Sequence, residues 1–304
     1  MKCFLAAGLA ACLCASAPVW AQEVTVETAR GDVVLQSEPQ SVAVFDMAAL
    51  DTLAALGVPV DGAPRPLYLP YLEAVAGDST PVGTLFEPDF EALAVMGPDL
   101  IVAGGRSSPQ VDALSRIAPT IDMTIWGADM VGQAKARLTA YGKLFGKTAE
   151  AEALLTTLDE RLSTAREVIA GKGNGLILLT NGGKISAYGD DSRYGWLHNA
   201  TGLPEAYPGV AAETHGEAVS FEFLAEIDPD WLLVIDRGAA IGAEGNSAAA
   251  TLDNPLANGT TAAKEGRILY LASGPLYIAG GGIQSMLGTL DELIEAFGGE
   301  GSGS

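Results

Sequence analysis

The sequence predicts an α/β protein of two lobes, each a central mostly parallel sheet flanked by helices, with a long helix joining them. Three observations carry this expectation. Short apolar runs alternate with helical patterns in both halves of the chain, the signature of α/β architecture. The middle, from about Val131 to Ala170, holds only helix formers, broken once near Gly146-Lys147. A unit of the first half also recurs in the second.

In chain order, Val42-Ala43-Val44-Phe45 reads as a strand and Met47 to Leu56 as the helix after it. Leu100-Ile101-Val102 and Ile121 to Ile125 are further strands, with a helix near Val111–Ile117 between them. The second half offers strands at Leu176–Leu179, Ile185–Tyr188, Trp231–Ile235 and Ile268–Leu271, and closes with an amphipathic helix from Gly282 to Phe297. In the middle, Leu154, Leu155, Leu158, Leu162, Ala165 and Ile169 form a stripe at helical spacing. Thr148 is placed to cap that helix. Some 22 residues would span about 33 Å, enough for a strut between lobes. The expected divisions are a leader over 1–21, a first lobe over 22–130, a connecting helical region over 131–171, a second lobe over 172–297 and a flexible Gly/Ser tail over 298–304.

The recurring unit is the most informative pattern. Phe90-Glu91 leads to Pro98-Asp99, Ile101 and Arg106; Phe221-Glu222 leads to Pro229-Asp230, Leu232 and Arg237. Glutamate precedes proline by seven residues in both copies, and arginine follows it by eight. Each unit reads as a short helix, a turn, a buried strand and an arginine at the strand's C-terminal end. Ligands of open α/β sheets bind at that end, so two such units place two arginines at one cleft.

Composition narrows the function. The chain has 304 residues, 48% of them hydrophobic, so sizeable cores are available. A formal charge of −21 argues against nucleic acid and anionic lipid as partners, yet leaves room for a small anion in a local basic pocket. Lys2, the apolar run Cys3–Ala17 and Val19-Trp20-Ala21 read as an export signal cleaved before Gln22. The rival reading is a lipoprotein box at Leu9-Ala10-Ala11-Cys12, which would leave a very short signal. All three cysteines lie in this leader, so the mature chain has neither disulfides nor thiolate sites, and its charge is −22.

Enzyme signatures are weak: there is no nucleophile elbow, phosphate loop or zinc-helix motif. Ser192 or Ser220 with His215 would be needed for a hydrolase, and no motif supports that pairing. Gly280-Gly281-Gly282 offers either free N–H groups to an anion or simply a tight turn before the last helix. His198 reads as structural. His215 lies in a polar loop before the second unit, open to reading as solvated or as a ligand. Tyr277 sits at a strand-to-helix connection, and Arg193 is free to pair locally with Asp190 or Asp191.

The motifs Gly142-Lys143-Leu144-Phe145-Gly146-Lys147, Ser192-Arg193-Tyr194-Gly195, Thr214-His215-Gly216, Val234-Ile235-Asp236-Arg237 and Tyr277-Ile278-Ala279-Gly280-Gly281-Gly282, in this order, resemble the periplasmic ferric-siderophore-binding proteins of ABC importers. The branch is the one that binds enterobactin- and petrobactin-type catecholates, and the resemblance covers the mature chain. It implies a class III binding protein with a rigid helical connector and a shallow cleft. Arg106, Arg193 and Arg237 match the arginines that face the ferric catecholate. His215 and Tyr277 match the side chains that complete the Fe(III) shell when the siderophore supplies only four donors. Pro275-Leu276 precedes Tyr277 where relatives often carry an aromatic. Glu91 and Glu222 match the pair that meets the membrane permease. The expected protein is then a periplasmic monomer with no permanent cofactor, its ligand a ferric siderophore. Haem and cobalamin are the neighbouring alternatives. The chemistry agrees: Fe(III) prefers hard anionic oxygens, and arginine forks bond to such oxygens while staying charged.

Overall fold

The computed structural model describes residues 22–210 and 216–299; the leader, Cys12, His215 and most of the Gly/Ser tail lie outside them. Two five-stranded sheets form the lobes, and a two-stranded antiparallel ribbon, β1 (Glu23–Thr28) with β2 (Gly31–Gln36), lies against the first. The N-terminal sheet contains β3 (Val42–Val44), β4 (Gly62–Ala63), β5 (Thr80–Pro81), β6 (Leu100–Ala103) and β7 (Thr120–Asp122), in the spatial order β5-β4-β3-β6-β7. Every pair in it is parallel. The C-terminal sheet contains β8 (Gly175–Asn181), β9 (Lys184–Tyr188), β10 (Glu217–Val219), β11 (Trp231–Asp236) and β12 (Ile268–Tyr270), in the order β10-β9-β8-β11-β12.

This second sheet is mixed. β8, β11 and β12 run parallel, whereas β9 folds back antiparallel on β8. The cause is local: Asn181 pairs with Lys184, and Gly182 and Gly183 between them both take positive φ, which a two-residue hairpin turn requires.

Alternation within single strands builds the cores. Val42 and Val44 face one apolar cluster, while Ala43 and Phe45 face another with Ile101 and Leu114. Likewise Leu233 and Ile235 point one way, and Leu232 and Val234 the other, with Leu176 and Leu224. Each lobe therefore has its own outer core. The inner cluster is shared, running from Val44 and Leu50 through Leu158 and Leu162 to Ile235 and Phe297.

The helical middle divides as expected, into Met130–Leu144 and Thr148–Ile169, with Gly146 left-handed at the break. Thr148 does not cap the second helix. The cap is Lys147, whose N–H closes the first helix on Gly142 O at 2.7 Å, so the chain turns straight into the second. The helix predicted near Val111–Ile117 is a single turn, Val111–Leu114. The strand predicted to reach Ile125 stops at Asp122, because the Asp122 carboxylate turns the chain by accepting from the Thr124 N–H at 3.2 Å.

The connecting helix does not act alone. The C-terminal helix, Ile283–Gly298, runs parallel to it, one residue into the predicted tail. Arg161 pairs with Asp291 at 2.7 Å, and seven residues further along both helices Val168 approaches Gly298. At its far end Phe297 stacks on Trp231 of β11, with ring centroids 3.8 Å apart. At its near end the first N–H groups meet the helix Met47–Ala55 of the N-terminal lobe: Ile283 donates to Thr52 Oγ1, and Gln284 and Ser285 to the two oxygens of Asp51 at 2.7 and 3.0 Å. A side chain at residue 282 would collide with the Asp51 carboxylate, so glycine is required there. The Gly280-Gly281-Gly282 turn thus does lead into free N–H groups, but the group that takes them is the protein's own Asp51 carboxyl.

Candidate functional site

Both sheets reverse their strand order beside the central strand, between β3 and β6 in one lobe and between β8 and β11 in the other. Such switch points open a crevice at the strands' C-terminal ends. Arg106 follows β6 by three residues, and Arg237 follows β11 directly. The repeated unit therefore does what its spacing predicts, placing one arginine at each switch point.

Arg106, Arg193 and Arg237 converge on one residue, Tyr277, in the short helix Ser273–Ile278. Arg106 crosses from the other lobe and donates to the carbonyl oxygens of Tyr277 at 2.8 Å and Ile278 at 3.3 Å. Arg193 donates to the same Tyr277 carbonyl at 2.9 Å. Arg237 Nε donates to the Tyr277 hydroxyl at 3.1 Å, and its Nη1 to Asn181 Oδ1 at 3.4 Å. The guanidinium carbons lie 5.1, 5.2 and 5.9 Å from the tyrosine ring centre, close enough for cation–π attraction. Arg193 is held between two rings, since its Cζ also lies 4.9 Å from Tyr194.

The electrostatics follow from this crowding. Among the described residues none of the three arginines has a carboxylate partner; the ion pairs involve Arg30, Lys135, Lys147 and Arg161. Burial, then the like charge of Arg193, draws the Arg106 guanidinium below its usual range. Burial works to raise the Tyr277 phenol, but the Arg237 hydrogen bond and the three positive charges outweigh it, and the phenol falls below the usual tyrosine value. Three guanidiniums with no carboxylate partner among the described residues, gathered round a phenol of lowered pKa, offer an anion charge-assisted hydrogen bonds and a hard oxygen donor.

Several contributors carried no signal in the sequence. Asp46, just past β3, caps the next helix through the Ala48 N–H at 3.2 Å. A Cβ at residue 104 would sit 2.6 Å from its Oδ2, so only glycine lets the chain after β6 pass. Burial pushes this carboxyl up to about 6. Asn181 gives no signal either, and although Tyr188 lies in a predicted strand and Tyr194 in a motif, nothing local pairs their rings, which meet edge-on at 4.8 Å. Arg193 does not make the local ion pair with Asp190 or Asp191. His198 is structural, its Nδ1 2.9 Å from the Leu203 carbonyl oxygen, and burial lowers its pKa. His215 lies outside the described residues; the next residue, Gly216, packs against the Tyr188 ring. Glu91 and Glu222 are exposed in the first turns of the helices Phe90–Met96 and Phe221–Ile227, at equivalent places in the two lobes.

Two sheet lobes, a helical brace and a basic crevice between them define a class III solute-binding protein. The chain belongs to the periplasmic binding protein family, whose model matches residues 42–274. It is 37% identical over 259 residues to the petrobactin-binding protein YclQ of Bacillus subtilis, covering 84% of this chain and 81% of YclQ. The crystal structure of YclQ superposes with a TM-score of 0.85 at 33% identity, covering 91% of this chain and 99% of that one. The ferric-anguibactin-binding protein FatB of Vibrio anguillarum is 28% identical over 281 residues, 90% of this chain and 87% of FatB. The periplasmic catecholate-siderophore-binding protein VctP of Vibrio cholerae gives a TM-score of 0.82 at 31% identity, covering 90% and 99% of the two chains. No helix of the described residues is long and apolar enough to cross a membrane.

Proposed function

We propose that this protein captures a ferric catecholate siderophore in the crevice between its lobes and hands it to an ABC importer. One observation carries the reading: Arg106, Arg193 and Arg237 meet at Tyr277, and among the described residues none of them forms an ion pair with a carboxylate. A ferric bis- or tris-catecholate is a compact anion rich in oxygen acceptors, and three guanidinium forks complement it. Relatives named for petrobactin and for catecholate siderophores support the class.

Tyr277 and His215 complete the iron shell when the siderophore leaves two positions open. The lowered phenol pKa favours this, because a phenolate is the form that ligates Fe(III). Iron is cargo in this scheme, bound and released without chemical change. Glu91 and Glu222 meet the permease, one from each lobe. The mature protein begins at Gln22 and works as a periplasmic monomer.

The test is a titration followed by protein fluorescence, using iron-loaded siderophores and their iron-free forms. Anionic ferric catecholates should bind tightly and cationic ferric hydroxamates weakly. Equal affinity for the two classes would overturn the reading. His215→Ala with Tyr277→Phe should abolish the shift of the charge-transfer band on binding a tetradentate bis-catecholate, and an unchanged band would remove both residues from the iron.

A further inference from the structure

Trp126 stands apart from the other tryptophans of the described residues. Trp196 and Trp231 are 2% and 3% exposed, whereas Trp126 is 65% exposed. Single exposed apolar residues are common and need no function. This one combines exposure with a fixed backbone. Its N–H donates to Gln133 Oε1 at 3.1 Å, and its carbonyl accepts from Gln133 Nε2 of the same side chain. Two residues earlier, the Thr124 carbonyl accepts from Arg137 at 3.2 Å. The backbone of Thr124–Trp126 is therefore fixed, and it carries an uncovered indole.

Its location gives the indole a meaning. β7 lies beside β6 with Asp122 opposite Ala103, so the segments carrying Trp126 and Arg106 leave the sheet side by side. They are tied together where the Gly105 N–H donates to Thr124 Oγ1 at 2.8 Å. On the other side, Ile125 packs against Gly281, four residues beyond Tyr277, and Met130 approaches both Gly280 and Gly281. Trp126 thus stands where the two lobes meet, beside the arginine cluster.

We infer that Trp126 forms an aromatic wall of the ligand site, contributing face-on contact to the catechol rings of the siderophore. The inference rests on the catecholate reading above. The arginines recognise the charged oxygens of such a ligand, and they leave its flat carbon faces without a partner. An indole on a fixed backbone has only two side-chain torsions to order, so it supplies that contact at little entropic cost and separates aromatic ligands from other anions.

The probe is the ferric complex of a synthetic tetradentate bis-catecholate, followed by its visible charge-transfer absorbance so that loss of tryptophan emission does not interfere. Trp126→Ala and Trp126→Leu should each weaken binding about tenfold, a size typical of one aromatic contact, while Trp126→Phe stays within about threefold of the parent. Thermal midpoints should not move, because the side chain is exposed. Parent-like affinity in all three variants overturns the inference, as does rescue by leucine equal to that by phenylalanine, which would make the contact one of bulk alone. Arg237→Ala run alongside separates the two levels. Loss with Arg237→Ala but none with Trp126→Ala removes the wall and keeps the function. Failure of the parent protein to take up the ferric bis-catecholate removes both.

Discussion

The two lobes solve the same problem at the same topological position with different chemistry. In the C-terminal lobe, the central strand β8 ends in Asn181 and the neighbouring strand leads into Arg237, which stays at home, bonded to Asn181 and the Tyr277 hydroxyl. In the N-terminal lobe, the corresponding strand leads to Asp46, sunk beneath Gly104, and Arg106 reaches across to two carbonyls of the opposite lobe. A neutral amide lets an arginine remain local, and a buried carboxyl used as a helix cap leaves its arginine to find partners elsewhere. The lobes also grip the C-terminal helix differently. One uses the aromatic stack of Phe297 on Trp231, the other the carboxylate of Asp51 on the first turn.

The largest effect should come from the apolar grip. Phe297→Ala removes a fully buried ring from the core shared by both lobes. It should cost about 3–5 kcal/mol in urea denaturation, the range for large-to-small core changes. A loss below about 1 kcal/mol would show that the stack does not hold the brace to the C-terminal lobe.

The two switch-point arginines come next. Arg237→Ala should weaken binding of a ferric catecholate by about 1.5–3 kcal/mol, the worth of a hydrogen bond to a charged group. Arg106→Ala should weaken binding similarly and also loosen the empty protein, since it removes the side chain that crosses the cleft. Small-angle scattering of the parent should show little change in radius of gyration on loading, because two parallel helices and a common core join the lobes. Large closure in the parent, or identical behaviour of the two variants in the empty state, would erase the distinction drawn between the arginines.

The polar grip predicts a pH dependence. Burial pushes Asp51 up to about 7, and the hydrogen bonds from Tyr71, Gln284 and Ser285 only partly offset it. Between about pH 4 and 7 the native carboxyl holds a proton that the unfolded chain has already released. Unfolding therefore releases protons, and stability falls as pH rises through that window. Asp51→Asn should flatten the slope by up to ~1.4 kcal/mol per pH unit where the two forms differ by a full proton. Parallel profiles for parent and variant between pH 5 and 8 would mean that Asp51 stays ionised throughout.

The smallest effects belong to Glu91 and Glu222. Both are exposed in first turns, where solvent screens the small gain a negative charge has from the helix dipole. The double Glu→Ala protein should keep the parent's thermal midpoint and bind ligand within twofold of the parent, yet fail to support uptake in cells. Normal uptake would reduce both residues to helix formers.

Local chemistry made much of this readable in advance. Buried apolar runs marked β3, β6, β8 and β11 because parallel strands covered on both faces need them. The leucine stripe marked the connecting helix, and the spacing from glutamate through proline to arginine marked both switch points. Sequence motifs point to Arg106, Arg193, Arg237 and Tyr277, and the structure brings all four together. These signals survive in sequence because each depends on neighbours a few residues away. The meeting of the arginines at the Tyr277 carbonyl does not, since Arg106 and Tyr277 are separated by 171 residues. Nor does the closure of the glycine turn by Asp51, which lies 233 residues from Gln284. An aspartate in a helix reads as a surface charge, and a tryptophan after a strand as core; only packing between distant segments buried the first and left the second uncovered. Periodicity and spacing determined the elements and the charges they carry, and the tertiary structure decided which of those charges face one another, because that choice is made by contacts no local pattern encodes.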